Sequence, residues 1–444
     1  MSKSSKGILV GSISGFPELL PKEQVAFNTC LDFIKKQFES YGFSPMDTPA
    51  VEKASTLLSK GNDSEIYGLC RLTSEEGSKK ELGLRFDLTV PLARYVAEHY
   101  GQLIFPFKRY HIAPVWRGER AQAGRYRQFY QCDIDIIGET ELSLAYDAEL
   151  LGIIHKIFSS IGLPNYRIKI NNRKILMGLM QEFGVEENQV EAAIRQIDKK
   201  EKIDALTMEK GLEDLGLAKK VVHLITTFLE KKGTNQQMLD YLAGFTKSDL
   251  LQEGLRELKE VIQLSQSFDV TDSILEVDPT LARGLNYYTG TIYETKWMDC
   301  LEIGTICAGG RYQNLAETFT RKVLPGVGVS IGVSRLIPKM IEKGLIKSDA
   351  ETYARVLVTV QNRQFLPHYI SLAEKIRSHG IGAEVYLQDK PLPNQIKYAD
   401  RKGFEIVVIA NEDEIRMNSL NFKILKEQRQ EKGSIETLIE FLSR

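Results

Sequence analysis

Residues 115–138 read VWRGERAQAGRYRQFYQCDIDIIG, and their charge changes sign halfway along. From Lys108 to Arg127 there are six Lys or Arg and one acid, Glu119; then Asp133 and Asp135 follow in a run that alternates like a strand. With FPFKRYH upstream, the segment reads as two strands joined by a polar, glycine-containing loop at 120–124. Such a hairpin converges Arg117, Arg125 and Arg127 on one cleft. Planar guanidinium forks match the oxygens of a phosphate, although a solvated hairpin tip would use the same residues. At period two, Gln131, Asp133 and Asp135 share one face. Carboxylates on a half-buried strand need a partner, either an internal Arg or Lys or a cationic ligand. Phosphate binders beside cation binders suit a nucleotide held next to an amino acid.

The rest of the chain sets bounds on that reading. Its 444 residues with 43% apolar content can build two or three domains. A net charge of −1 argues against a uniformly basic coat for nucleic acid but permits a local basic face. Five scattered cysteines (Cys30, Cys70, Cys132, Cys300, Cys307) form no CxxC, which suits a reducing, cytoplasmic compartment and gives no zinc signature. No apolar run reaches membrane-spanning length, and MSKSSKGILVG lacks the design of a signal peptide.

Working outward, residues 22–41 predict an amphipathic helix. ELGLRFDLTVPLARYV predicts a strand, with Leu84, Phe86, Leu88 and Val90 at period two before Pro91 ends it. LSLAYDAELLGIIHKIFSSIG predicts a helix and RIKINN a short strand. From 173 to 265 the patterns are almost wholly helical (RKILMGLMQEF, ENQVEAAIRQIDKK, AKKVVHLITTFLEKK, LLQEGLRELKEVIQLSQSF), as in an insertion. Strands resume at LARGLNYYTGTIYETKW and PGVGVSIGVSRLI. The last section alternates strand and helix, the pattern of a compact α/β domain. These changes predict a mixed core over 1–172 and 266–346, a helical insertion over 173–265 and an α/β domain over 350–444.

Two further stretches carry polar chemistry. TLARGLNYYTGTIYE places Arg283 ahead of Tyr287 and Tyr288. An arginine can stabilise developing phosphate charge and a tyrosine hydroxyl can read a ring nitrogen, although a core tyrosine pair would look the same. CAGGRYQNL and PGVGVSIGVSRLI carry glycines that let a backbone or ligand approach closely, or simply pack strands tightly. The chain has no P-loop, no GxSxG and no HExxH, and its six histidines are dispersed.

Taken in order, these stretches resemble the class II aminoacyl-tRNA synthetases, and within them the histidyl-tRNA synthetase family. GFPELLP and the helix after it resemble the family's opening, with Pro49 at the dimer-interface proline. RFDLTVPLARY resembles its RYDLTVP segment and FKRYHIAPVWRGERAQAGRYRQFYQCDIDIIG its motif 2. ARGLNYYTGTIYE resembles its histidine signature, GVSIGVSRL its motif 3 and NQIKYADRKGFEIVVIANEDEI its anticodon-binding domain. The fold implied is α+β: an antiparallel-sheet catalytic core with a helical insertion, plus a C-terminal α/β anticodon-binding domain.

The resemblance also implies roles. Arg117 and Arg283 would hold and polarise the α-phosphate of ATP, with Glu119 on the adenine or ribose side and Arg125 on the terminal phosphates. Phe129 and Arg335 would sandwich the adenine. Asp87, Thr89 and Gln131 would hold the α-ammonium of L-histidine; Asp135 and Tyr288 would grip its imidazole, with Tyr287 beside them. Gln122 would meet the acceptor end of tRNA(His). Mg2+ would ride on the phosphates, with no metal held by protein ligands alone, and the protein would be a cytoplasmic homodimer with no membrane partner. Asn286, Ser334 and Gln313 depart from the family's acidic residues. They leave open a non-charging regulatory paralogue that senses histidine or tRNA, although that kind usually lacks the last domain.

Overall fold

The computed structural model describes residues 11–60, 65–73, 80–121, 124–282, 288–313, 316–347 and 349–443. The chain divides into two compact units. The first holds residues 1–17 and 31–340, and the second holds 341–444 together with Glu18–Cys30.

In the first unit the strands run, in chain order, β1 Ser44–Pro45, β2 Val51–Lys53, β3 Gly68–Leu69, β4 Leu82–Leu84, β5 Phe107–Trp116 and β6 Gln128–Ile137. They continue as β7 Tyr166–Asn172, β8 Leu275–Val277, β9 Tyr288–Trp297, β10 Thr305–Tyr312 and β11 Gly326–Ile331. Eight form one sheet in the order β1-β5-β6-β11-β10-β9-β7-β8. Its middle is antiparallel throughout, and only the edge pairs β1–β5 and β7–β8 are parallel. β2, β4 and β3 make a small separate sheet.

The quoted hairpin is the β5–β6 pair, in register from Trp116 opposite Gln128 back to Phe107 opposite Ile137. Alternation gives the sheet its two faces. Cys132, Ile134 and Ile136 are buried on the side where Arg311 ion-pairs with Asp147 of the helix Ala145–Ser160. Gln131, Asp133 and Asp135 turn to the other side. One face therefore packs under a helix, and the other is left to build a cavity.

The predicted strand through RFDLTVPL does not form. Only Leu82–Leu84 is extended, and Thr89–His99 is a helix with Pro91 in its first turn. Proline fits there because the first helical N–H groups have no partner within the helix anyway. The apolar residues with the pattern of a half-buried strand, Phe86, Leu88 and Val90, are buried by the turn into that helix.

Between β7 and β8 the chain is helical: Arg173–Glu182, Glu187–Ile197, Ala205–Glu213, Lys219–Leu229, Asn235–Ala243 and Asp249–Ser265. The third and fifth go beyond the four helical patterns of the sequence. Each is short and set off by side-chain caps, Asp204 on Thr207 N–H and a reciprocal Thr234–Gln237 box.

The second unit carries β12 Val356–Val358, β13 Ala383–Val385, β14 Ile406–Ile409, β15 Leu420–Ile424 and β16 Arg429–Gly433 in the order β13-β12-β14-β15-β16. The first three are parallel and the last two antiparallel. Val356, Val358, Ile406 and Val408 pack against Tyr369, Leu372 and Leu438; Leu357 and Val407 pack against Ala399 and Phe404. Its sheet is thus covered on both faces, as a central parallel sheet requires. The β15–β16 hairpin is not legible in NFKILKEQRQEKG because its outer strand is almost wholly polar. Among the described residues no helix is long and apolar enough to cross a membrane.

Candidate active site

Above the open face of the large sheet lies a cavity of about 860 Å³. That volume suits a ligand the size of an amino acid and a nucleotide together. Of the site residues expected from the sequence, Asp87, Thr89, Arg117, Glu119, Arg125, Phe129, Gln131, Asp135, Tyr288 and Arg335 all line the cavity. Gln122, Arg283 and Tyr287 lie outside the described residues, as does Asn286.

One part of the lining is carboxylate-rich. Asp135 lies opposite Arg109 in the β5–β6 register, and the two side chains meet at 2.6 Å. Its other oxygen accepts from the Tyr312 hydroxyl at 2.9 Å. Arg109 is fully buried, so the internal partner demanded by the alternating carboxylates is present. Arg109 is nevertheless shared among three buried carboxylates, since Asp87 and Asp133 are also at most 5% exposed, with Arg117 helping at Asp87. Burial pushes the Asp133 carboxyl up to about 7, against the pull of Arg109 and a Ser330 hydrogen bond, with Asp135 and Asp87 adding to the rise. Burial likewise raises Asp87 to about 6, against the Val90 N–H and the charges of Arg117 and Arg109. Asp135 is also raised by burial, with Arg109 and Tyr312 opposing. Opposite Asp133 in the β5 register, His111 bonds Asp47 at 2.8 Å and is driven down to about 4 by burial and by Arg109 and Arg85, so it stays neutral.

The acceptors here are not all used. Asp87 Oδ1 receives the Val90 N–H at 3.1 Å, but Asp87 Oδ2, Gln131 Oε1 and Asp133 Oδ1 are buried without partners. Unpaired buried acceptors cost free energy unless a ligand supplies donors. Together with the excess of carboxylate they describe a pocket for a cationic, hydrogen-bond-donating group.

Glycines make that pocket possible. A Cβ on Gly328 would lie 2.0 Å from Asp135 Oδ1, and one on Gly310 would lie 2.9 Å from the Tyr288 ring. The glycines of β10 and β11 thus leave room for side chains from neighbouring strands.

The other part is rich in arginine. Arg117 follows β5 directly; its Nε donates to the Phe86 carbonyl at 3.0 Å and its guanidinium lies 5.1 Å from the centre of the Phe129 ring. Arg125 pairs with Glu119 at 3.1 Å and is half exposed. Arg127 is spent structurally: its Nε donates to the Glu119 carbonyl, fixing the base of the loop. Arg335 is held by the Thr305 carbonyl at 2.7 Å. Ser334, at one of the departures, accepts the Tyr130 N–H at 2.8 Å and so ties the helix Val333–Glu342 to β6.

Sequence reasoning misses Arg109, Tyr312, Ser330 and the wall of paired charges in which Lys169, Lys200 and Lys296 meet Asp278 and Glu201. Arg109 is within its reach: counted back from the loop, the hairpin register places it opposite Asp135. Tyr312 and Ser330 come from strands nearly 200 residues away, and no local pattern marks them. In the wall, burial raises the Asp278 carboxyl but Lys200 and Lys169 outweigh it, leaving it at about 2. Among the described residues no group of three or more His, Cys, Asp or Glu could hold a metal ion.

Comparison with known proteins agrees with this geometry. The family profile described as histidyl-tRNA synthetase matches residues 15–336, and that of an anticodon binding domain matches 354–444. The histidine–tRNA ligase of Clostridium tetani is 41% identical over 431 residues, covering 97% of both chains. That of Stenotrophomonas maltophilia is 41% identical, covering 94% of each. The crystal structure of histidyl-tRNA synthetase from Nostoc sp. PCC 7120 superposes with a TM-score of 0.89 at 37% identity, covering 98% of this chain and 99% of that one. A structure from Bacillus halodurans described as an ATP phosphoribosyltransferase regulatory subunit/histidyl-tRNA synthetase shares the fold, at a TM-score of 0.72 and 19% identity over 88% of this chain. With its catalytic sheet and its C-terminal unit both matched, the chain belongs to the histidyl-tRNA synthetase family.

Proposed function

We propose that the protein is a class II histidine–tRNA ligase, joining L-histidine to tRNA(His) through histidyl-adenylate. The observation that carries this reading is the pairing of unsatisfied buried acceptors, Asp87 Oδ2 and Gln131 Oε1, with the arginine-bearing wall of Arg117 and Arg125 in one cavity.

In this reading Asp87, Thr89 and Gln131 take the α-ammonium, while Asp135 and Tyr288 take the imidazole with Tyr287 beside them. Asp135 is suited to that task because Arg109 and Tyr312 hold its carboxylate rigidly. A site built to hydrogen-bond two ring nitrogens rejects side chains that lack them. Arg117 holds the α-phosphate from a guanidinium already fixed by the Phe86 carbonyl and the Phe129 ring. Arg283 polarises the same phosphate as the carboxylate attacks; pyrophosphate leaves toward Arg125; Glu119 faces the adenine or ribose, which Phe129 and Arg335 enclose. Catalysis is then positioning and charge stabilisation. Mg2+ would accompany the triphosphate and offset its charge.

The same proposal extends to the architecture. Residues 1–172 and 266–346 form the catalytic domain, and 350–444 read the anticodon. The insertion, 173–265, contributes Lys200, just past its second helix, to the cavity lining. Gln122 contacts the acceptor end, and the protein works in the cytoplasm as a homodimer. The non-charging alternative is disfavoured by Arg117, Glu119, Arg125 and Arg335 lining one cavity and by the presence of the last domain.

The test is histidine-dependent exchange of labelled pyrophosphate into ATP by the purified protein. Exchange with histidine alone among the amino acids, lost in Arg283→Ala, supports the assignment. Histidine binding without exchange would instead favour a regulatory protein.

A further inference from the structure

The floor of the acceptor pocket contains a short relay that no role so far requires. Gln131 Nε2 donates to Ser330 Oγ at 2.6 Å. Ser330 lies opposite Asp133 in the β6–β11 register, and its hydroxyl bonds the Asp133 carboxylate. Asp133 is 2% exposed and lines the cavity, with Oδ1 unpartnered.

We propose that Asp133 is a positioning residue, which through Ser330 turns the Gln131 amide so that its oxygen, not its nitrogen, faces the substrate ammonium. The inference rests on the amino-acid-binding reading of the cavity and deepens it.

The argument is one of proton counting. Once ionised, at pH above its folded value of about 7, the Asp133 carboxylate can only accept, whereas a serine hydroxyl has one proton to give. With Asp133 as its acceptor, that proton is committed, and Ser330 Oγ can offer Gln131 only lone pairs. Gln131 must therefore present its NH2 to Ser330, which leaves Oε1 aimed at the cavity. Oε1 is indeed the atom left unpartnered. The opposite rotamer would set two amide protons against an ammonium, a repulsive arrangement. An amide alone has no reason to prefer one orientation over the other; the buried carboxylate two residues along the same strand supplies it.

The test compares binding of L-histidine with binding of 3-(imidazol-4-yl)propionate, which lacks the ammonium, by calorimetry on the full chain at pH 8, where Asp133 is ionised. Wild type should prefer histidine. In Asp133→Asn the side-chain amide can donate to Ser330 and release the relay. The preference should then fall by on the order of tenfold or more, because a buried acceptor is exchanged for a donor. The KM for ATP should hold.

Adding Gln131→Glu to that variant restores an acceptor that needs no orienting, and should restore the preference. Ser330→Ala breaks the relay from its middle and should lower the preference even if Asp133→Asn folds poorly. Equal weakening of both ligands, or an unchanged preference in both single variants, overturns the relay. Absence of histidine binding in wild type overturns the functional reading itself, a result distinct from these.

Discussion

Arg109 and Asp135 face each other across the β5–β6 hairpin, their charges 2.6 Å apart and both almost completely buried. Of Asp87, Asp133 and Asp135, it is Asp135 whose two oxygens are both engaged. Arg109 also offsets Asp133 and Asp87, which draw on the same positive charge. Replacing Arg109 by Met keeps much of its volume but takes the main counter-charge from Asp135 and Asp133 and leaves Asp87 with Arg117 alone. Removal of one partner from a buried pair costs about 3–5 kcal/mol. The loss should be larger at pH 8 than at pH 6, because at the lower pH Asp133 and Asp87 can take up protons. Denaturation midpoints at the two values check both the size and the direction.

Gly328 tests the floor from the neighbouring strand. A methyl group there would fall 2.0 Å from Asp135 Oδ1 and 2.8 Å from the Ile134 carbonyl. Neither group can yield without moving the strand or the carboxylate. Gly328→Ala should therefore raise the KM for histidine by roughly tenfold or more while the KM for ATP changes little, since misplacing a positioning group by about 1 Å costs on the order of a hundredfold. Equal effects on the two substrates would show that the methyl deforms the whole cavity instead.

How much of this is legible in sequence depends on distance along the chain. Within the hairpin, alternation and charge suffice: Arg117, Arg125, Gln131 and Asp135 all line one cavity. Where a residue's partner is remote, as with Ser330 on Gln131 or Tyr312 on Asp135, no local period records it. The segment at Phe86 to Val90 fails for a different reason. Period-two apolar residues also fit the tight turn into a helix, and Pro91, which would break a strand, occupies a helical first turn. The sequence departure at Ser334 also reads differently in the fold, because its hydroxyl is a structural acceptor for β6.

Asp133 gives a pH signature that its isosteric amide isolates. Its folded carboxyl titrates at about 7 against an ordinary value of 3.8. The unfolded chain releases this proton first, so the native state is relatively favoured at low pH and loses that advantage as pH rises toward 7. A neutral amide in its place does not titrate and so contributes no such dependence. The stability of Asp133→Asn relative to wild type should therefore improve as pH climbs from 5 to 8, by on the order of 2–3 kcal/mol. Taking the difference cancels His111, whose depressed value pushes wild type and variant alike in the opposite sense below pH 6.5. A gap independent of pH would mean that Asp133 is ionised throughout.

Phe129 should separate the two substrates in the other direction. Its ring supports the Arg117 guanidinium at 5.1 Å and lines the cavity beside it. Phe129→Leu keeps the apolar bulk, and with it the packing onto Leu88, Ala113 and Val115. What it removes is the π face. A partly exposed cation–π contact contributes about 0.5–1 kcal/mol, and a base stacked on an aromatic ring about 1–3 kcal/mol. The KM for ATP should thus rise roughly tenfold, with the KM for histidine and the melting temperature nearly unchanged. Phe129→Tyr, which retains the ring, should return the KM for ATP to near the wild-type value. If the Leu and Tyr variants behave alike, the ring acts as apolar filler and the adenine is held elsewhere.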